Sequence, residues 1–274
     1  MSLGIAYKGP EGIVLAADSR VTLSAVLATG QVVASSFDNA TKLLSVQGQE
    51  YVGIVTYGAG AIGQKAPRTA HGFIPEFEAR LSGKHKGRAT VKEIATELGA
   101  FYSEQWRLGD MPTEVGPAID PMVFLVAGFD EGEAYGRLYE VSVPNAPEPQ
   151  EKQGGPDDLW GLTFGGQGEL VARLLGGLDT RAAGIAQNAL ALDDAQLQTL
   201  IGRWRGELGL TIPYQFLPLQ DCVNLATFLV YMTSMVQGWT VGVVRGVGGD
   251  VDVATITRTD GFKAVKQKTI EPWE

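Results

Sequence analysis

Apolar residues in the first sixty positions occur in short runs separated by turn residues, a pattern typical of β-strands. Strands are predicted at 4–7 and 13–17, on either side of the turn residues Gly9 and Pro10. Two hairpins follow, with strands predicted at 26–28, 31–33, 42–46 and 51–56. The chain therefore begins as antiparallel β-structure.

Helical periodicity then dominates two segments, 63–81 and 90–108. Pro75 must lie in a first turn or at a kink of the first segment, because proline has no N–H for the helix interior. Thr90 and Glu93 form the sequence pattern of a capping box at the start of the second. Later helices are predicted at 168–178, 193–208 and 219–236, and later strands at 122–129, 136–143, 251–257 and 261–265.

The order of these elements indicates fold class. Strands and helices come in clusters rather than in strict βαβ alternation, which favours antiparallel sheets with separate helix layers in an α+β fold. Residues 144–158 are rich in proline, glycine and charge, and are predicted to form an exposed loop. We expect a single domain over 1–274, with loop or helix insertions near 144–160 and 190–218.

Composition narrows the possible functions. The 274 residues are 45% hydrophobic and 19% charged, and the formal net charge is −9. An acidic chain is a poor ligand for nucleic acid, and no apolar run is long enough for a membrane span, so neither partner is expected. The lone cysteine, Cys222, and the two histidines, His71 and His85, form no metal-ligand pattern. The chain is therefore expected to be cytoplasmic, with no metal, cofactor or internal disulfide.

Five segments, taken in order, resemble the proteasome β-subunit family of N-terminal-nucleophile (Ntn) hydrolases. They span nearly the whole chain, and each one alone is short. The segments are GIVLAADSR at 12–20, TKLLSV at 41–46, VTYGAG at 55–60, LVAGFD at 125–130 with LYEV at 138–141, and GGDVDVA at 248–254. The resemblance implies a four-layer αββα sandwich of two antiparallel sheets flanked by helices.

The same resemblance implies a site. In this family the nucleophile is a hydroxyl on the first residue, and that residue's α-amine, with a pKa near 8, accepts its proton. Asp18 matches the catalytic acid, Lys42 the catalytic lysine, and Gly60 the donor of the oxyanion hole. An ammonium at Lys42 would lower the pKa of the amine, and Asp18 would keep that ammonium charged and oriented.

The nucleophile position has two alignments. Counting back from Asp18 without gaps places it at Ser2, which would act as the first residue once Met1 is removed. Aligning residues 4–5 with the family's first strand places it just before Met1, and Met-Ser-Leu also has the form of a cloning scar. Two supporting positions depart from the family pattern: a Gly-Ser-Gly turn is replaced within 165–168, and only Ser234 and Gln237 lie near the expected aspartate.

The resemblance implies a peptidase subunit that self-associates into a ring or stacked rings. Peptides or unfolded proteins are its expected substrates, and an ATPase is a possible partner. Two alternatives stay open: a non-catalytic scaffold subunit of the same fold, and a small-molecule amidohydrolase of the wider Ntn superfamily. Reaction of the first residue with an electrophile distinguishes the scaffold from the two enzymes.

Overall fold

The computed structural model describes residues 2–26, 29, 31–113, 120–153, 159–242 and 244–269. The strands are β1 (Leu3–Lys8), β2 (Ile13–Asp18), β3 (Val21–Val26), β4 (Val32–Phe37), β5 (Leu43–Ser45), β6 (Val52–Gly58), β7 (Met122–Gly128), β8 (Arg137–Val143), β9 (Ala146–Glu151), β10 (Gly161–Gly166), β11 (Val251–Thr257) and β12 (Gly261–Lys266). The helices are α1 (Ile74–Lys84), α2 (Val91–Leu108), α3 (Glu169–Gly176), α4 (Thr180–Leu190), α5 (Asp194–Leu208) and α6 (Leu219–Trp239), with short 3-10 turns at His71–Phe73 and Tyr214–Phe216.

The chain forms two compact units. The first contains the residues up to Gly166 and those from Tyr214 onward, and it holds β1–β12 with α1, α2 and α6. The second is Gln167–Pro213 and holds α3, α4 and α5. A single domain over 1–274 stays a prediction.

The first unit is built from two five-stranded antiparallel sheets. Their strand orders are β10-β1-β2-β11-β12 and β5-β6-β7-β8-β9, and β3 and β4 form a separate two-stranded sheet. Side chains such as Leu15, Val55 and Leu125 fill the space between the large sheets. Helix α6 packs on β1 and β2, and α2 packs on β7, β8 and β9. These four layers confirm the expected α+β sandwich.

The predicted helix signals are present at α1 and α2. Thr90 Oγ1 accepts a hydrogen bond from the N–H of Glu93, and the Glu93 carboxylate accepts one from the N–H of Thr90, so the capping box is confirmed. Pro75 lies in the first turn of α1, where its missing N–H costs no helical hydrogen bond. Residues 63–70 are therefore outside the helix that was predicted for 63–81.

Several local predictions are wrong. Within the predicted loop 144–158, Ala146–Glu151 forms β9, an edge strand paired with β8. Its sequence APEPQE has two prolines, which an edge strand tolerates because part of its backbone has no partner strand. Strand β10 and helix α4 were not predicted. The hairpin of β3 and β4 is longer than expected; Leu27, Ala28 and Gly30 of its predicted strand and turn lie outside the described residues.

Among the described residues, no helix is both long enough and apolar enough to cross a membrane.

Candidate active site

Asp18 is the last residue of β2, and its carboxylate accepts four hydrogen bonds. Oδ1 accepts from the N–H of Leu3 at 3.0 Å and from the Lys42 ammonium at 2.7 Å. Oδ2 accepts from the N–H groups of Arg20 at 3.1 Å and Gly248 at 3.0 Å. A carboxylate has about four lone-pair sites, so this buried group is saturated and its orientation is fixed.

Lys42 lies directly before β5, and its ammonium is buried against Asp18. The ammonium also donates to the backbone carbonyl of Arg20. Burial lowers the pKa of Lys42, and the Asp18 carboxylate opposes that shift without cancelling it. The positive charges of Lys268 and Arg20 lower the pKa further. The net effect favours a lysine that releases its proton more readily than one in water.

Ser2 precedes β1 and is held by the backbone around it. The N–H of the next residue, Leu3, is bound to Asp18, and Leu3 pairs with Gly166 of β10. Gly166 has φ +85°, and a Cβ there would lie 1.9 Å from the carbonyl oxygen of Ser2. Only glycine allows β10 to approach the start of the chain this closely.

Ser2, Lys42 and Gly60 line one cavity of ≈ 20 Å³, which has room for about one water molecule. Ser2 is 4% exposed, Lys42 6% and Asp18 1%, so the site is nearly closed. Asp18 binds Lys42 from outside the cavity lining. The structure thus brings the four residues predicted for the site together, while their catalytic roles stay predictions.

Gly60 follows β6 in the turn that leads towards α1. A Cβ at Gly60 would lie 2.3 Å from Cγ2 of Val21, so the turn and β3 are in direct contact. Among the described residues, none accepts a hydrogen bond from the N–H of Gly60.

Further supports of the site come from distant parts of the chain, including Gln237, which the sequence places near the family's supporting aspartate. The side chain of Gln237 on α6 accepts a hydrogen bond from the N–H of Val247 at 3.0 Å, which fixes the turn whose Gly248 N–H binds Asp18. Arg20 forms two hydrogen bonds to Asp38, at 2.6 and 2.8 Å, and these join the bases of β3 and β4. The Arg20 guanidinium lowers the pKa of Asp38. Partners more than 200 residues apart, such as Asp18 and Gly248, leave no local sequence signal.

Other candidate groups lie apart from this cluster. A larger groove of ≈ 870 Å³ lies between α6 and the β11–β12 hairpin, but none of the four predicted residues lines it. Burial raises the pKa of the Cys222 thiol, which donates to the carbonyl of Pro218. In the ranges given above, no three His, Cys, Asp or Glu side chains converge as metal ligands.

Comparisons with known proteins give a structural likeness only. No family model and no curated protein matches the sequence. Among solved structures, the chain is similar to the Anbu (Gly-1) mutant from Hyphomicrobium sp. strain MC1, with a TM-score of 0.55 and 14% sequence identity. The match covers 98% of this chain and 87% of that one. This likeness shows that the two chains share a fold.

Proposed function

We propose that this chain is an N-terminal-nucleophile peptidase in which Ser2, freed by removal of Met1, attacks the peptide carbonyl. The observation that carries the proposal is the buried Asp18–Lys42 ion pair, 2.7 Å between Oδ1 and Nζ, in a site whose cavity Ser2 and Gly60 share. A buried pair with saturated partners is expensive to assemble and is a weak device for stability alone. Perturbed ionisable groups of this kind are concentrated at functional sites.

The reaction follows from these groups. The neutral α-amine of Ser2 accepts the proton of the Ser2 hydroxyl as the oxygen bonds to the carbonyl carbon. The oxyanion of the tetrahedral intermediate accepts a hydrogen bond from Gly60 N–H, and the Lys42 ammonium stabilises the same negative charge. The C–N bond then breaks, and the leaving amine takes the proton from the α-ammonium. Water attacks the resulting ester with the amine again as base, releasing the acid and restoring Ser2.

The assembly and the partners are part of the proposal. A ring or stacked rings of this chain would act on peptides or unfolded proteins, in a cytoplasmic setting, with an ATPase as a possible partner. Sedimentation velocity at micromolar concentration is expected to give a mass several times that of one chain. A single species at the mass of one chain contradicts the ring.

A small-molecule amide is the second candidate substrate. A space of ≈ 20 Å³ holds about one water molecule, so the walls must move to admit either substrate. Turnover of peptides is compared with turnover of short acyl amides that carry the same leaving group, and this comparison separates the two candidates. Exclusive turnover of the short amides, by a chain that does not form rings, favours the amidohydrolase.

Ser2 labelling tests the proposal. The chain is produced behind a cleavable fusion that leaves Ser2 as the first residue, and is treated with a peptide boronate or a β-lactone. Mass spectrometry is expected to place the lactone adduct on Ser2. Protein that retains Met1 is the matched control and is expected to react far more slowly, because the amine of Ser2 is then an amide. Equal absence of labelling in both forms favours the non-catalytic scaffold.

A further inference from the structure

A second buried ion pair lies on the strand next to β2. Asp252 of β11 is 2% exposed, and its Oδ2 accepts a hydrogen bond from the Lys268 ammonium. The backbone N–H of Lys268 also donates to Oδ1 of Asp252, at 2.9 Å. Both oxygens of one carboxylate are therefore bound by a single residue just beyond β12.

This pair lies beside the candidate active site. In the antiparallel register of β11 and β2, Asp252 is opposite Ala17, the residue directly before Asp18. Strand β11 also contacts β5, which begins one residue after Lys42. Ala17, Leu43 and Ala254 belong to the same core cluster between the sheets. Asp18 and Asp252 thus lie on neighbouring strands, and their positions in the register differ by one residue.

Hydrophobic burial alone does not require charges at Asp252 and Lys268. A polar pair of this kind is commonly matched or exceeded in stability by apolar side chains of similar volume. Its neighbours Ala254 and Ile256 on the same strand are fully buried apolar residues. An electrostatic effect on the nearby Asp18–Lys42 pair would account for the charges of Asp252 and Lys268.

We propose that Asp252 and Lys268 are positioning residues for Lys42: Lys268 neutralises Asp252, so that the Lys42 ammonium stays bound to Asp18 and faces Ser2. This inference rests on the proposed function. The charged groups around Lys42 are Asp18 on β2, Arg20 and Asp38 at the base of the β3–β4 hairpin, and Lys268. Removing Lys268 alone removes a positive charge that lowers the pKa of Lys42 and leaves the buried Asp252 carboxylate without its counter-ion.

The test is the pH profile of Ser2 labelling in chains that begin at Ser2. In Lys268→Met, the uncompensated Asp252 carboxylate favours the charged forms of both Lys42 and the Ser2 amine. In the plot of labelling rate against pH, the rising and the falling limb are both expected to move to higher pH, by roughly 0.5–1 pH unit. Lys268→Arg keeps the positive charge and is expected to leave both limbs near their wild-type positions.

The double variant Asp252→Asn/Lys268→Met removes both charges and keeps the shapes, so both limbs are expected to return towards wild type. If Lys268→Met does not fold, Asp252→Asn alone takes its place: it leaves the positive charge of Lys268 without its counter-ion, and both limbs are expected to move to lower pH. Lower stability with coincident profiles in all folded variants overturns the inference and leaves the proposed function standing, since a purely structural pair would behave in this way. A wild-type chain whose Ser2 is not labelled overturns the proposed function and this inference with it.

Discussion

At the scale of single residues, the four hydrogen bonds to Asp18 determine what this carboxylate can do. Three come from backbone N–H groups of Leu3, Arg20 and Gly248, and one from Lys42. A carboxylate that accepts four bonds has no free lone-pair site for a substrate proton. Asp18 therefore holds Lys42 in place, and in the proposed mechanism the base is another group, the α-amine of Ser2.

Lys42→Met removes the ammonium while keeping the length of the side chain. We expect the rate of Ser2 labelling to fall by about 100-fold or more, because the charge next to the hydroxyl and the amine is lost. The free energy of unfolding at pH 7 should fall by about 3 kcal/mol, since Asp18 loses its buried counter-ion. Denaturant unfolding, alongside labelling at one pH, measures both effects.

The pH dependence of that comparison has a defined sign. The pKa of Lys42 in the folded chain is below its ordinary value of 10.5, so the unfolded chain binds more protons between the two values. The free energy of unfolding of the wild type, relative to that of Lys42→Met, should therefore increase as the pH rises from the pKa of Lys42 in the folded chain towards 10.5. A change in the opposite direction over this range contradicts the lowered pKa.

Gly60→Ala tests the contact between β3 and the turn that contains Gly60. The new Cβ would lie 2.3 Å from Cγ2 of Val21, so the turn must move and its N–H with it. We expect labelling to slow by roughly 10- to 100-fold, the usual effect of a displacement of about 1 Å at a reacting centre. Val21→Ala alone is the matched control, and Gly60→Ala combined with Val21→Ala should recover much of the loss. Additive losses in the double variant argue against the clash.

At the scale of elements, the β3–β4 hairpin contributes Val21 to the lining of the candidate site. It belongs to neither five-stranded sheet, and a two-stranded sheet is marginally stable without further packing. Val21 of β3 rests on Gly60, and the Arg20–Asp38 pair joins the bases of the two strands. We therefore expect access to the candidate site to depend on how firmly this hairpin is held.

Asp38→Ala removes that anchor and leaves the backbone of Arg20 bound to Asp18 and Lys42. We expect a bulky lactone to label Ser2 faster than in wild type, since the β3–β4 hairpin moves away from the site more often. Glu151→Ala is the control, because it removes a similarly exposed ion pair, with Arg137, on the other sheet. Equal acceleration in both variants assigns the effect to general loosening rather than to the hairpin.

The elements also show how far sequence reasoning reaches. Thr90, Glu93 and Pro75 act within one turn of a helix, so their roles could be predicted from neighbours alone. Strand β9 could not, because its prolines favour a loop and only pairing with β8 makes it a strand. Asp18, Lys42 and Gly60 could be predicted only because their segments, taken together and in order, resemble the proteasome β-subunit family. The hydrogen bonds made by Gly248 and Gln237, and the Asp252–Lys268 pair, could not be predicted, because the partners come from distant parts of the chain.

At the scale of the whole molecule, the two compact units differ in how much apolar surface they bury. In the first, every residue of β1, β2, β6, β7 and β11 is buried. In the second, the buried apolar side chains among its described residues are Val171, Ala186 and Leu197. Local stability follows buried apolar contact, so the two units should open with different free energies.

Native-state hydrogen exchange followed by mass spectrometry measures this difference. Amides in α4 and α5 should exchange well before those in β1, β2 and β7, which are expected to open only with global unfolding. Asp179→Ala sharpens the test, because the Asp179 carboxylate caps α4 through the N–H of Arg181 at 2.8 Å. Loss of this cap, about 1 kcal/mol, should speed exchange in α4 and leave β1 and β2 unchanged. Equal protection of both units, or acceleration that spreads to the sheets, would mean that Gln167–Pro213 unfolds together with the sandwich, and the candidate active site would then share its stability with the inserted helices.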